Sequence, residues 1–491
     1  MSDRPALAHP VPTWLIAVLA ITFTAASGGR FGIELLAWVA PVPWLLWVRR
    51  TQTWPQRLLL LGAAVLATTV QLSTIITPPI PWAFAPMFGV PIGLSFGLAL
   101  WLWDGIRRTT GERHALYAFV AIAVVSDVLG AMTSPMGAWS TTSAHISSQE
   151  VVLQVASVFG VAGIAAITSL VAAFLATFLG APRDGSGRAR LPGGLLPDAL
   201  VLAVALTAVI GFGSWRLAQP TRGPTVQVAG IVTDLVLTPA GLPDPAVLDD
   251  NVDTLFARSA RAADHGARLV VWNEGATAVL AGEPTEALVA RGRDFARQHR
   301  VDLVLAFISV TDPDAMAFHN LAVFIDQDGV EHVRYHKRHP VPGETEPSDN
   351  PVPQLARPYG TLSLAICYDA DFPEISRAHA AAGAGLVALP SSDWAGIDPV
   401  HTMMSRIRAI EGGYSLLRPV RAATSAAFDP MGRVRAQLRI DESNDRTLLA
   451  TLPTTPVPTI YAWLGNWPVL LPAAYLLLLG GLAVRRLIRR T

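Results

Sequence analysis

The 491-residue sequence predicts a membrane α-helical bundle joined to an α/β domain. Three observations carry this. Hydrophobic residues make up 51% of the chain and charged residues only 15%, against about a quarter charged in ordinary soluble domains. Before residue 217 and after residue 467 the apolar residues collect into runs long enough to cross a bilayer, which takes about 20 of them. Between 225 and 455 charge returns, and the apolar runs shorten to strand length and alternate with helical patterns. Lys+Arg 37 and Asp+Glu 37 cancel, so no net field gathers polyanions. A disordered chain and a nucleic-acid-binding chain are both excluded. With one cysteine, neither an internal disulfide nor a multi-thiolate zinc site can form. That residue is either a small buried hydrophobe or a reagent.

The membrane spans fall at 12–28, 31–48, 57–77, 84–104, 114–132, 151–180, 197–217 and 467–484. The expected organisation is a transmembrane bundle of about seven helices over 1–220, a catalytic domain over 225–455, and a closing helix with a basic tail over 465–491. The first run has no small-residue cleavage site and further spans follow at once, so it reads as a span and not as a signal peptide. Arg49, Arg50 and Arg57 sit between spans two and three, Arg107, Arg108 and Arg113 between four and five, and Arg183, Arg188 and Arg190 between six and seven. Arg485, Arg486, Arg489 and Arg490 follow the last span. Positive residues are retained inside, so these loops and both termini are expected in the cytoplasm and the 225–455 domain outside the cytoplasmic membrane. Gly89, Gly93 and Gly97 put small residues on one helix face, as close helix packing requires. Asp127 and Gln154 fall in or beside apolar runs, where a polar group must face the bundle interior or water. For Asp127, substrate contact and a helix-end position are both open. Pro78, Pro79 and Pro81 mark a broken connection.

In the 225–455 domain, strands are expected at 226–232, up to Glu274, at 302–309 and 321–329, through Lys337, up to Asp369, and at 385–391. Helices are expected near 250–265, 285–299, 373–382 and 401–412. Three strand ends bear the chemistry. LVVWNE ends in Glu274, RYHKRH presents Lys337, and LSLAICYD delivers Cys367, the only cysteine. A thiol attacks as thiolate, a carboxylate can take its proton, and a fixed ammonium favours the thiolate and stabilises the oxyanion of a tetrahedral intermediate. The chain has no GxSxG elbow, HExxH helix or Walker loop. Taken singly, each residue has a plain alternative: Cys367 as core filler, Lys337 as part of a solvated charge cluster, Glu274 as a helix cap.

The surrounding words decide between these readings. WNEGA, YHKRHPVPGE and ICYDADFPE resemble the three motifs of the nitrilase superfamily, whose Glu-Lys-Cys triad lies in this order on an αββα sandwich. Further words, LQVASVFGVAGIAAITSLVAA, SRIRAIEGGYSLLRP and FDPMGRV, are similar to its membrane-embedded branch, the apolipoprotein N-acyltransferases, over nearly the whole chain. The resemblance implies Glu274, Lys337 and Cys367 as the triad. It makes Glu344 the second acid, with Glu346 as a rival because VPGE is one residue shorter than the family's VPFGE. Asn273 replaces the proline usual before the first glutamate, and the acid after CY is Asp369 where the family has glutamate. Tyr368, Asp369 and Trp394 are expected near the pocket, with packing as the alternative for Trp394. His336, His339 and His401 are expected in solvated or structural roles.

The implied reaction moves an acyl chain from a phospholipid to Cys367 as a thioester, then to the amino group of a diacylglyceryl-cysteine at an apolipoprotein N-terminus. The expected partners are the phospholipid donor, the diacylglyceryl-apolipoprotein acceptor and the bilayer, with no cofactor, metal or nucleic acid, and the chain is expected to be a monomer. The alternatives are a membrane-tethered amidase or nitrilase-type hydrolase, and a degenerate nitrilase-like binding module.

Overall fold

The structure, a computed structural model, describes residues 11–181, 195–235, 242–312, 317–341, 344 and 347–488. The chain forms two compact units, Met1–Trp215 with Asn466–Thr491, and Arg216–Gly465. Arg183, Arg188, Arg190, Arg489, Arg490 and Glu346, all singled out in the sequence, lie outside the described residues.

In the helical unit the apolar runs become helices. Six among the described residues are long and apolar enough to cross a bilayer: Trp54–Ser73, Trp82–Thr110, Glu112–Thr133, Val161–Leu179, Leu195–Ala218 and Trp467–Arg486. This is a membrane protein. The outer surfaces of its last helix are strongly apolar, with Leu471 74% and Leu477 78% exposed, as a lipid-facing helix requires. Two expected spans are interrupted. The run at 31–48 is split into Glu34–Ala37 and Pro41–Val48, because Pro41 has no N–H to donate and begins a new helix. The run at 151–180 breaks before Val161–Leu179 at Gly160, whose φ of +59° no helix accommodates.

The glycine stripe is a packing device. A methyl group at Gly89 would collide with the backbone of Thr69, and one at Gly93 with that of Val65, so the helices Trp54–Ser73 and Ala85–Thr110 approach backbone to backbone. Asp127 is inside a helix and not at its end. From within the helix Glu112–Thr133 its Oδ2 accepts the Thr142 N–H at 2.8 Å, tying down the connection that follows. Gln154 is fully buried and donates to the Glu150 carbonyl at 3.1 Å. The arginines of two loops converge on one buried acid: Arg57, Arg107 and Arg108 all reach Asp104, at 3.4, 2.8 and 2.7 Å. Arg486 donates to the Thr109 carbonyl nearby. The loop after span two, the loop after span four and the end of the last helix therefore share one end of this unit.

The second unit is an αββα sandwich, as expected. One sheet has the order Thr447–Pro453, Thr225–Ile231, Leu269–Trp272, Asp302–Asp312, Ala317–Ile325, Glu331–His336, with Ala278–Val279 also on Asp302–Asp312. The other runs Val434–Leu438, Ser425–Phe428, Ser415–Arg418, Leu386–Ala388, Gly360–Leu364, Leu355–Arg357. Side-chain alternation along the strands builds both faces of the first sheet. Val226, Val228, Leu269 and Val271 enter the core between the sheets, where Leu362, Leu364, Leu386 and Leu416 meet them. Ala229, Ile231, Val270 and Trp272 face outward onto Phe256 and Phe295 of the helices Pro245–Asp264 and Thr285–His299. Burial on both faces is why these central strands read as unbroken apolar runs. The pattern up to Asp369 is shorter than expected: the strand stops at Leu364, and Cys367 opens a tight turn, Cys367–Asp371.

The stripe yields a test in the detergent-solubilised protein. Gly89→Ala and Gly93→Ala should each cost about 1–3 kcal/mol through overpacking, seen as a lowered melting temperature. Gly105→Ala, on the same helix with nothing within 4 Å, should be neutral or stabilise by up to about 1 kcal/mol. Equal effects at all three positions would contradict the packing role.

Candidate active site

Glu274 follows the strand Leu269–Trp272 by two residues and is 5% exposed. Its neighbour Asn273 holds the turn: Asn273 Oδ1 accepts the Thr233 N–H at 2.8 Å, and its Nδ2 donates to the Glu274 carbonyl at 2.8 Å. Lys337 comes directly after the strand Glu331–His336, its backbone N–H paired to the Asn320 carbonyl across the sheet. The Lys337 ammonium donates to Glu274 Oε1 at 2.8 Å and to Glu344 Oε2 at 2.6 Å. Asn320 completes the set by donating to Glu274 Oε1 at 2.7 Å and Glu344 Oε1 at 3.1 Å. Both side-chain bonds to Glu274 thus fall on Oε1. Burial by itself would lower the Lys337 pKa, but the carboxylates of Glu274 and Glu344 outweigh it and raise it. Lys337 is therefore a fixed cation. Burial, reinforced by the neighbouring Glu274, raises the Glu344 carboxyl against the pull of Lys337.

Cys367 sits at φ +44°, in the left-handed region that a side chain enters at a cost and that clusters at functional sites. Its N–H is pinned to the Pro390 carbonyl at 2.9 Å. Burial, then Glu274 and Asp393, push its thiol well above the usual range, opposed by Lys337 and Arg418. The resting sulfur is consequently a neutral thiol. Asp369 is wholly buried. It accepts from Tyr335 Oη (2.9 Å) and from the backbone N–H groups of Ile366 (3.0 Å), Arg338 (3.1 Å) and His339 (2.8 Å). One carboxylate thereby ties the lysine loop to the cysteine turn. Tyr368 is half-buried, edge-on to Phe372 at 5.3 Å. Trp394, also half-buried, precedes the short turn Ala395–Ile397.

A charge cluster behind the thiol was not readable in the sequence beyond His401. Asp393 Oδ1 lies 3.9 Å from Cys367 Sγ. Arg418 grips both Asp393 oxygens at 3.1 and 3.0 Å. His401 bonds Asp393 at 2.8 Å and Asp371 at 3.0 Å. The ligand atoms of Cys367, Asp393 and His401 all lie within 4.8 Å of one another, close enough for a metal ion. The protein fills that role itself, because Arg418 already neutralises Asp393 and His401 commits both ring nitrogens to acids. His401 is therefore structural but not solvated. His339 stacks on Phe372 at 3.8 Å, and His336 packs against His319.

Residues 240–457 match the carbon-nitrogen hydrolase family. Over 92% of its length the chain is 26% identical to an apolipoprotein N-acyltransferase of Gloeobacter violaceus, covering 90% of that protein. It is 28% identical to one of Bradyrhizobium diazoefficiens over 82% of the chain and 79% of the relative. An amidase from Nesterenkonia sp. superposes with a TM-score of 0.41 at 24% identity, over 50% of this chain and 96% of that one. The chain carries a carbon-nitrogen hydrolase domain, the class its three motifs resemble. Over most of its length it is similar to the apolipoprotein N-acyltransferases, the membrane-embedded branch.

The buried histidine gives a pH test. Burial would lower the His401 pKa, but Asp371 and Asp393 outweigh it and raise it to about 9. The folded state thus holds this proton more tightly than the unfolded one, whose value is near 6.5. Its contribution is full below about pH 6.5 and is lost as pH climbs to about 9, a change on the order of 3 kcal/mol. Chemical denaturation across that window should show stability falling more steeply in wild type than in His401→Gln. Identical slopes would contradict a protonated His401.

Proposed function

We propose that the chain is an N-acyltransferase of lipoprotein maturation, acting through a Glu274-Lys337-Cys367 triad on the outer face of the cytoplasmic membrane. The observation that supports it best is the ammonium of Lys337 bonded at once to Glu274 and Glu344, in a chain similar to the N-acyltransferases through its membrane segments as well as its hydrolase domain. The neutral thiol needs a base, and Glu274 has Oε2 uncommitted beside its two bonds at Oε1. Glu274 takes the Sγ proton as sulfur attacks the ester carbonyl of a phospholipid, and Lys337 stabilises the oxyanion. Collapse breaks the carbon–oxygen bond, and the departing lysophospholipid oxygen takes the proton back from Glu274. The acyl group is left on Cys367 as a thioester. The amine of a diacylglyceryl-cysteine then attacks that carbonyl, giving the amide and returning the thiol. Glu344 holds Lys337 on its second side, and Tyr368 and Trp394 border the acyl-binding space.

The four arginine clusters of the sequence support a domain outside the cytoplasm, the side on which this reading has it meet lipidated precursors. Both substrates are lipids, so a catalytic domain connected to membrane helices at both ends meets them without a soluble phase.

Mass spectrometry of lipoprotein N-termini tests this in cells. Loss of the gene should leave the terminal amine free, and the wild-type gene should restore its acylation. Cys367→Ala should restore none. Glu274→Gln and Lys337→Ala should each slow acylation by about 10² or more, and Lys337→Arg should not rescue, because a planar fork cannot replace a compact ammonium. Unchanged N-terminal acylation on deletion would overturn the proposal in favour of an amidase, in which water resolves the acyl-enzyme.

A further inference from the structure

A further cation stands near the thiol and, among the described residues, has no acid of its own. Arg421 lies in the short parallel pairing of Ser391–Ser392 with Val420–Arg421, directly opposite Ser392. Its Nε and Nη2 both donate to Ser392 Oγ, at 3.0 and 2.8 Å. The carbonyl of that same Ser392 is 3.7 Å from Cys367 Sγ. The backbone holds the arrangement from the other side, since the Arg421 carbonyl accepts the Asp393 N–H at 3.1 Å.

The neighbouring arginines of this domain are differently placed. Arg418 is spent on Asp393, Arg357 on Asp302 and Arg433 on Asp429. Among the described residues no carboxylate oxygen lies within 4.0 Å of Arg421. A guanidinium has five N–H groups, and the serine oxygen receives two bonds from it. Burial lowers the Arg421 pKa, with only the charges of Glu274 and of a Cys367 thiolate offsetting it. A half-buried cation without a counter-ion is costly to keep, and an anionic ligand would remove that cost. Lys337 already provides a compact cation for a transient oxyanion. A planar fork is suited instead to the paired oxygens of a phosphodiester.

The geometry points to Arg421 as the residue that receives the phosphate of the acyl donor, so that the site selects esters carrying a phosphodiester a few bonds from the carbonyl attacked by Cys367. This rests on the acyl-transfer reading. The phosphate is not transferred. It orients the donor so that the glycerol oxygen leaves while the acyl carbon bonds to sulfur.

Two measurements on the full-length protein in detergent test it. The first follows formation of the Cys367 thioester from a diacyl phospholipid and from an uncharged nitrophenyl ester of the same acyl chain. Arg421→Gln should lower the preference for phospholipid, as the ratio of the two kcat/KM values, by about tenfold or more, mainly through KM, and Arg421→Lys should recover part of it. Parallel losses with both donors would mean an oxyanion or folding role, and an unchanged ratio would mean no contact with the donor. Either result overturns the proposal.

The second measures alkylation of Cys367 by a neutral thiol reagent with glycerophosphate present. Glycerophosphate should slow alkylation in wild type and have much less effect in Arg421→Gln. If wild type takes no acyl group from phospholipid while glycerophosphate still protects through Arg421, the acyltransferase reading fails and the anion site stands. If phospholipid acylates Cys367 with the same preference in both proteins, the anion site fails and the acyltransferase reading stands.

Discussion

The site depends on one buried ammonium. Lys337 is 5% exposed, and a cation withdrawn that far from water persists only with its charge matched. Glu274 and Glu344 supply the charge, and Asn320 fixes both acids. Each partner arrives on a different piece of chain: the turn after Leu269–Trp272, the strand Ala317–Ile325, and the loop after Glu331–His336. The register of the first sheet therefore has a chemical consequence. A slip of one residue between Ala317–Ile325 and Glu331–His336 would turn Asn320 to the opposite face and leave Lys337 buried without its acids.

The second sheet contributes the nucleophile by a different device. Leu362 and Leu364 anchor the strand in the core between the sheets, and the chain then leaves the ladder into a turn at Cys367. Asp369 bonds two backbone groups of the lysine loop and one beside the cysteine turn, so the loop that carries the ammonium is tied to the turn that carries the sulfur. Behind the sulfur, Asp371, Asp393, His401 and Arg418 form a set of two acids and two cations. Left alone, Asp393 would add its negative charge to that of a thiolate. Arg418 and His401 offset it, so that Asp393 raises the thiol less than a lone buried carboxylate would.

Much of this was legible in the sequence because it is encoded locally. Apolar run length marked the membrane segments, and continuous apolar strands flanked by polar words marked Glu274, Lys337 and Cys367. The αββα sandwich and the Glu-Lys-Cys order came from the resemblance. What escaped was encoded at a distance. Asn320 looks like an ordinary polar residue of an edge hairpin until Lys337 is set across from it. Asp393 and Arg418 lie 25 residues apart in the chain and meet only when the second sheet forms. Asp369 follows the cysteine by two residues, but its bonds to the backbone of the lysine loop, 30 and 31 residues away, exist only in the fold. The breaks at Pro41 and Gly160 were masked by the hydropathy of the runs containing them, which is insensitive to backbone geometry.

The resting thiol is neutral although Lys337 is a permanent cation of the same site, so proton removal belongs to the reaction. Cys367 is the only cysteine in the chain, which makes the thiol directly observable. The most direct measurement is the thiolate ultraviolet absorbance of wild type minus that of Cys367→Ala as a function of pH. No thiolate should form until well above the ordinary cysteine value of about 8.5. A thiolate already formed below about pH 7 would show a resting Cys367–Lys337 ion pair, and would contradict the assignment of Glu274 as the base.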